Sequence, residues 1–373
     1  MQKKHIKSFF LCLIAALFLT GCWDEQNIND LDIITMVIFD KKDEEYHFYV
    51  EVATIQTARQ EQGNAQVPMS TFVHARGKTI TEARENIDRQ LDRPIYLATV
   101  RTLIITERAA KNDLEEYLYR LRADPSYRQK LLLITTRDEP EELIKTEPDN
   151  NMLVGFSFDD TLRSTIDEGQ AIKITLNHCF QSLLSKDPFL LPCMGLFEDH
   201  IILRGYSVIS ENKCSGIIPV ELSKPIVYML GKNPFWHYRV PLEDKTVTIR
   251  AELQRKKIKP KYAQGKISFV MKFDFKAIVE YFDIMDKKPL DKATEEAIKE
   301  KFKKILEDEF KNTIVLSQKS YEIDYLGFGD EFKMHYPDEF ESMDWDKEYP
   351  KSSITMDFSI DLTTEEHIDF DPS

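Results

Sequence analysis

The stretch "IITMVIFDKKDEEYHFYVEVATI", residues 33–55, decides the fold class. Residues 33–39 and 46–55 are rich in β-branched and aromatic side chains, which favour extended strands. The charged residues 40–43 lie between the two runs and are typical of a turn. The stretch therefore predicts a β-hairpin at the start of the first folded region.

The residues after this hairpin alternate between helical and strand patterns. Residues 81–91 carry apolar side chains at helical spacing, with Thr81 as the expected cap, and a second helix is expected to end near Asp124. Buried strands are expected at residues 99–106 and 130–136, and the Gln-, Asn- and Gly-rich residues 59–69 are interpreted as a loop. A hairpin followed by helix, strand, helix and strand predicts an α+β domain over residues 22–148.

Two further domains are expected behind the first, at residues 149–231 and 232–373. In the middle domain we expect a buried helix containing residues 171–184, breaks at Pro188, Pro192 and Gly195, and a strand at 201–209. In the last domain we expect long strands at 245–259 and 266–281, a helix at 294–315, and a final strand at 353–362. The expected architecture is therefore three mixed α/β-sheet domains.

The first 21 residues have the pattern of an export signal. Lys3, Lys4 and Lys7 precede the apolar run from Phe9 to Thr20, which is shorter than the roughly 20 residues that a membrane-spanning helix needs. A positive start, a short apolar stretch and small residues before a cleavage site indicate a signal peptide over residues 1–21.

The signal ends in a lipobox, Leu19-Thr20-Gly21-Cys22. Small residues before a cysteine fit a lipoprotein signal peptidase, and the Cys22 thiol and freed amine can then carry acyl chains. Two or more chains, at about 0.8 kcal/mol per buried CH₂, hold a protein stably on a membrane. Cys22 is therefore the predicted lipidation site, which would tether the chain to the outer face of a cytoplasmic membrane.

The charge of the chain limits its other partners. Fifty basic and 64 acidic side chains give a net charge of −14, and loss of Lys3, Lys4 and Lys7 with the signal makes it about −17. Such a body repels nucleic-acid backbones and anionic lipid. The one basic island, residues 255–261, is interpreted as the exposed end of a strand or as a docking surface for anionic lipid or an acidic partner. The aromatic residues 233–238 suit a partner interface or a domain junction equally well.

No catalytic, metal or cofactor site is indicated by the sequence. The cysteines that follow Cys22 are Cys179, Cys193 and Cys214, whose wide spacing fits buried thiols or a single disulfide and not a zinc site. Gly327-Phe328-Gly329 is half a dinucleotide motif and is interpreted as a structural turn. The acidic residues 159–160 and 338–348 lack calcium-loop spacing and are interpreted as solvated loops. His178 is interpreted as a surface or core histidine.

Several of these motifs together resemble a known family. The mature start Cys22-Trp23-Asp24, the residues 121–128 "LRADPSYR" and the late turn 324–329 "DYLGFG", with Trp345 following, are similar to the C-subunit lipoproteins of spore germinant receptors, the Ger(x)C family. The resemblance covers nearly the whole chain. It departs from the family at Thr99-Val100, where a His-Leu or His-Lys pair is common, and is loose around residues 221–223.

The resemblance implies a function as well as a fold. It implies a three-domain, non-catalytic lipoprotein on the outer surface of the spore inner membrane, anchored through Cys22. It also implies a complex with two integral membrane subunits, one with a large soluble part and one multi-spanning. The complex would let the spore respond to small nutrients, such as amino acids or sugars, by starting germination.

Two other classes of protein remain open at this point. A solute-binding lipoprotein of a membrane transporter would need two doubly wound lobes, and the strand-rich last region does not supply the second. A lipoprotein hydrolase would need a nucleophile and base, and the sequence offers no such pair.

Overall fold

The computed structural model of the protein describes residues 28–60, 63–147, 153–243, 246–282 and 291–364. The predicted hairpin is confirmed and is longer than expected. It consists of β1 (Asp32–Lys42), β2 (Glu45–Gln60) and a third strand, β3 (Gly63–Gly77). The prediction of a loop at 59–69 is wrong, because β2 and β3 continue to pair from Tyr46 and Gly77 out to Gln60 and Gly63.

The first sheet has nine strands, ordered β3-β2-β1-β5-β6-β7-β8-β9, with β4 paired to β1. Its central strands β1, β5, β6 and β7 run parallel, and hairpins flank them on both sides. The remaining strands of this sheet are β4 (Ile95–Tyr96), β5 (Thr102–Thr106), β6 (Leu132–Thr136), β7 (Phe189–Phe197), β8 (His200–Ser210) and β9 (Lys213–Pro219).

Helices cover both faces of the first sheet, as a sheet with a parallel centre requires. They are α1 (Ile80–Asp88), α2 (Glu107–Asn112), α3 (Leu114–Ala123), α4 (Pro140–Leu143), α5 (Val154–Asp167) and α6 (Leu176–Ser185). Helices α1, α2, α3 and α6 pack into the larger core, while α4 and α5 pack on the opposite face in a smaller core. Residues 34–40 of β1 are therefore buried without a break.

The second sheet has four strands in the order β10-β11-β12-β13. The strands are β10 (Phe235–Pro241), β11 (Thr246–Ala263), β12 (Lys266–Phe282) and β13 (Ser353–Thr364). The accompanying helices are α7 (Lys224–Leu230), α8 (Lys292–Val315), α9 (Phe328–His335), α10 (Pro337–Glu341) and α11 (Trp345–Glu348). Helix α8 begins at the Asp291 cap, runs into a π-helical segment at Leu316–Tyr321, and buries the apolar stripe that the sequence predicts.

The structure groups the strands into two sheets, where the sequence predicted sheets in three domains. Strand β7 pairs in parallel with β6 through Thr135 and Cys193, so β7, β8 and β9 extend the first sheet, and the described residues 153–231 form no separate sheet. The fold class is α+β, as predicted. The proposed boundaries at 148/149 and 231/232 stay predictions.

Three local expectations are corrected. Helix α1 is capped by Thr79, whose hydroxyl accepts from Glu82 N at 3.1 Å, and not by Thr81. Strand β7 passes through Pro192 and Gly195, which were expected to break the chain, and a bulge follows Cys193. Asp159 and Asp160 lie on α5 and not in a loop.

Candidate functional site

The described chain begins at the edge of the first sheet where its parallel strands start. A 3₁₀ turn at Ile28–Asp30 leads into β1, and the Asp32 amide donates to the Pro94 carbonyl at 3.0 Å. The Ile28 side chain is 61% exposed. The predicted lipobox and Cys22 lie outside the described residues, six positions before Ile28. Six extended residues span at most about 20 Å.

A charged network closes the opposite edge of the sheet, where β1 and β5 end. Arg108 donates from Nε to Asp40 Oδ1 at 2.7 Å and from Nη2 to Asp40 Oδ2 at 2.6 Å, and its Nη1 reaches Glu139 Oε1 at 2.7 Å. Thr106 adds a hydroxyl donor to Asp40 at 2.5 Å. Burial acts to raise the pKa of Asp40, but the hydrogen bonds from Arg108 and Thr106 hold it below its ordinary value.

Both carboxylates of this network are paired with Arg108. The network therefore links β1, α2 and the start of α4, and neither carboxylate is free to act as an acid or base. Asp40 lies near the end of the buried strand β1, directly after its apolar run, and this position is the one sequence signal that could have identified it. Arg108 and Glu139 lie at helix starts far from Asp40 in the chain, and no motif in the sequence marks them.

The late motif Asp324 to Gly329 forms a buried helix start. Asp324 Oδ1 accepts from Phe328 N at 3.1 Å, and its Oδ2 accepts from Gly329 N at 2.6 Å and from Trp345 Nε1 at 3.0 Å. Gly327 has φ +81, a conformation that L side chains rarely adopt. The structure thus brings together the residues that carry the late part of the resemblance. Gly327-Phe328-Gly329 is structural, as interpreted, but it forms the start of α9 and is not a separate turn.

Burial is the main influence on Asp324, and it raises the pKa of that carboxyl to about 6 against the three hydrogen bonds that lower it. Every oxygen of the side chain is already engaged by α9 or by Trp345. The motif consequently caps α9 from within the fold and has no open position for a phosphate.

A cleft of about 660 Å³ lies beside this turn. Its walls are the end of α7, the second half of β11 and the solvent side of α9. The lining residues include Leu230, Lys257 and Lys259 on one side and Asp330 and His335 on the other. The predicted basic island thus forms one wall of a cleft at an exposed strand end, and Lys256 Nζ donates to the Met229 carbonyl within it.

The remaining candidate residues are dispersed. Cys179, Cys193 and Cys214 are buried free thiols, so the alternative of a disulfide among them is wrong. His178 is exposed on α6 beside Phe189. In the aromatic run, Trp236 and Tyr238 lie on β10 under the Lys224 ammonium, a junction with α7.

The two acidic groups named in the sequence, residues 159–160 and 338–348, lie in different surroundings. Asp159 is buried and pairs with Arg163 at 2.8 Å and with Arg101 at 3.6 Å. Residues 338–348 lie on α10, α11 and the turn between them. Over the parts of the chain that the structure describes, no group of three or more His, Cys, Asp or Glu side chains is placed to hold a metal ion. Those same parts contain no helix long and apolar enough to cross a membrane.

The fold and these surfaces define a two-sheet α+β protein in which the Asp324–Gly329 motif is structural. Two family models match the chain. A spore germination protein N-terminal domain matches residues 24–196, and a spore germination B3/GerAC-like C-terminal domain matches residues 204–365. The chain therefore belongs to this family of GerAC-like spore germination proteins.

Individual relatives agree with the family models. The chain is 24% identical to spore germination protein KC of Bacillus subtilis (strain 168), over 96% of this chain and 94% of the relative. It is 20% identical to spore germination protein A3 of the same organism, over 97% of each chain. A putative spore germination protein, YfkR, is 30% identical over 39% of each chain.

A solved structure shares the fold. The crystal structure of the GerBC protein superposes with a TM-score of 0.59, over 87% of this chain and 96% of that chain, at 15% identity. At this identity the likeness concerns the fold alone.

Proposed function

We propose that the chain is the lipid-anchored, non-catalytic subunit of a nutrient germinant receptor in the spore inner membrane. It works with two integral membrane subunits, one with a large soluble part and one multi-spanning, and is needed for the spore to start germination in response to small nutrients. Family membership over nearly the whole chain supports germination as the process, and the lipobox supports the anchor.

The position of Ile28 in the fold supports a defined orientation of the first sheet relative to the membrane. A lipid on Cys22 would hold the amino edge of the first sheet within about 20 Å of the membrane surface. The β2–β3 hairpin projects from this same edge, because Ile33 at the start of β1 pairs with Ala53 while β2 continues to Gln60. At about 3.3 Å per residue the hairpin extends on the order of 20 Å beyond β1. This direction supports a contact between the hairpin and the outer parts of the membrane subunits.

The anchor is tested by Cys22→Ala in a sporulating host. We expect the variant to lose incorporation of radiolabelled palmitate and to leave the membrane fraction, and its spores to respond weakly to nutrient. Cys12→Ala is the matched control, because Cys12 leaves with the signal and should change nothing. Equal labelling of the Cys22→Ala protein would remove the anchor assignment.

The receptor assignment is tested by crosslinking in isolated spore membranes. We expect two membrane proteins, one of them multi-spanning, to be recovered with this chain and to be encoded beside it. Recovery of transporter permease subunits would instead support a solute-binding lipoprotein. The structure gives that alternative little support, because the second sheet is largely antiparallel and does not form a doubly wound lobe.

A further inference from the structure

The second half of β11 is a sheet edge without a neighbouring strand. Strand β10 pairs with β11 only from Thr246 to Glu252, whereas β12 pairs with β11 along its whole length to Ala263. In the described parts of the chain, no other backbone group bonds to residues 254–263 on the side away from β12. In an antiparallel pair, every second residue directs its N–H and C=O away from its partner strand. Pro260 has no N–H, so at that position the edge offers only a carbonyl acceptor. The edge is therefore a template for one more strand, and the 660 Å³ cleft is the space beside it.

The two faces of this edge differ in chemistry. Residues directly opposite each other in a sheet share a face. Ile258 lies opposite the buried Met271, so it faces inward toward the cleft. Lys257 and Lys259 lie opposite the exposed Lys272 and Val270 and face outward.

The outward face carries unpaired positive charge. Lys257, Lys259 and Lys261 are exposed, and none of them forms an ion pair with any described residue. Their neighbours Arg255 and Lys272 are already paired, with Asp274 at 2.6 Å and with Asp357 at 3.4 Å. Three adjacent lysines repel further positive charge, which protects the edge from random pairing and favours a strand with acidic side chains on that face.

The inward face of the edge favours different side chains on the incoming strand. A strand added to this edge would set its inward side chains against Leu230, Ile258 and Leu326, which are apolar. Lys256 lies on the same face, and its ammonium already donates to the Met229 carbonyl. Asp330 and Glu331 on α9 form the far wall and disfavour acidic side chains there. The edge therefore distinguishes the two faces of an incoming strand and fixes its register.

We propose that this edge, residues 254–263 of β11, binds an extended segment of a partner protein in which acidic and apolar residues alternate. The segment adds as a fifth strand to the second sheet, with carboxylates on Lys257, Lys259 and Lys261 and apolar side chains in the cleft. Main-chain hydrogen bonds supply the affinity, and the alternation supplies the specificity. This inference goes beyond the proposed function and does not depend on Cys22.

A flat anionic membrane would neutralise the charge of the lysines but would leave the backbone groups of the strand edge without hydrogen-bond partners. It offers no backbone donors or acceptors in a row, and the acidic chain, at −14 overall, is repelled by it. A protein segment satisfies both the charges and the main chain.

The test is a binding titration of the full-length protein in neutral detergent with a labelled peptide, acetyl-Glu-Val-Glu-Val-Glu-Val-amide, followed by fluorescence anisotropy. We expect saturable binding that weakens as salt rises. Replacing Glu by Lys in the peptide, or N-methylating alternate residues to remove backbone donors, should each weaken binding at least tenfold. Equal binding of the Glu and Lys peptides, or of the methylated and unmethylated peptides, would overturn the proposal.

Protein variants provide the second arm. Lys257→Glu with Lys259→Glu should weaken peptide binding at least tenfold, whereas Lys292→Glu with Lys311→Glu, the same charge change on exposed positions of α8, should not. Lysine-dependent binding to phosphatidylglycerol vesicles in place of the peptide would show that the basic island, residues 255–261, binds lipid, and would overturn the proposal. A tenfold gain in peptide affinity on deleting residues 365–373 would mean that the chain's own acidic end occupies the edge, and the partner assignment would fail.

Discussion

At the scale of single residues, the buried carboxyl of Asp324 gives the molecule a defined pH dependence. Its pKa is raised from 3.8 to about 6 by burial. The folded state therefore binds this proton more tightly than the unfolded state. The resulting stabilisation is complete below about pH 3.8 and is lost as the pH rises through about 6.

Asp324→Asn tests this dependence. The amide places an NH₂ group against backbone or indole donors, which should lower the free energy of unfolding by about 1–3 kcal/mol. The difference between wild type and variant should be largest near pH 4 and should shrink as the pH rises to about 6. Urea unfolding at a series of pH values measures it. A difference that grows over this range would contradict the assignment.

The three buried thiols should be inert in the folded protein. Burial raises the pKa of Cys193 to about 11 and also raises the pKa values of Cys179 and Cys214. We expect these three thiols not to react with a disulfide reagent at pH 8, and to react fully in guanidinium. Ser185→Cys, on an exposed position of α6, is the positive control and should react at once. A melting temperature that falls on adding reductant would instead indicate a disulfide.

At the scale of elements, the sequence predicted the elements with regular residue patterns best and the contacts between distant residues least well. Helix α8 repeats apolar residues at helical spacing and its stripe is buried as expected, and β12 alternates in the same reliable way. Strand β7 contains Pro192 and Gly195, which mark breaks locally, but the neighbouring strands of the sheet accommodate both residues. Pairing with strands distant in the sequence decides such cases, and no local signal reports it.

Helix α5 is a clearer example of a contact between distant residues that local sequence does not report. Its N-cap residue, Leu153, has no capping side chain, and the cap comes from Glu51 on β2. Glu51 is fully buried and accepts from Val154 N at 2.8 Å and Gly155 N at 2.9 Å, and from the Thr35 hydroxyl at 2.6 Å. A cap from 103 residues away cannot be read from the sequence around the helix.

Glu51→Gln should therefore loosen α5 from the sheet. The new NH₂ group faces an N–H or hydroxyl donor and leaves it unsatisfied, at a cost of about 2–3 kcal/mol in the free energy of unfolding. Denaturant unfolding measures the loss. Glu45→Gln on the same strand is the control. The Glu45 carboxylate forms a surface pair with Arg76, so this substitution should change stability by less than about 0.5 kcal/mol.

At the scale of the whole molecule, the two sheets share one large hydrophobic core. That core includes Phe39 and Leu190 of the first sheet together with Phe273 of the second and Phe310 of α8. This core joins residues that are far apart in the chain, which patterns along the sequence do not report. The late motif and the Cys22-Trp23-Asp24 start carried the family assignment without any of this long-range information.

Strand β9 connects the first sheet to the π-helical segment that follows α8. A Cβ atom on Gly216 would lie 2.6 Å from Cε1 of the Tyr321 ring, so the ring packs directly on the backbone of β9. Because the larger core and this contact cross between the sheets, we expect calorimetry to show one cooperative transition, with a calorimetric to van't Hoff enthalpy ratio of about 1.

Gly216→Val should uncouple the two sheets. The added side chain has to displace the Tyr321 ring, which opens the junction while leaving the interior of each sheet intact, so the single transition should broaden or split in two. Ser215→Val is the matched control, because Ser215 is exposed on the same strand and does not share this contact. Tyr321→Leu combined with Gly216→Val should restore part of the cooperativity, since a smaller side chain leaves room for the valine. A Gly216→Val protein that unfolds in one unchanged transition would show that β9 and Tyr321 do not carry the coupling.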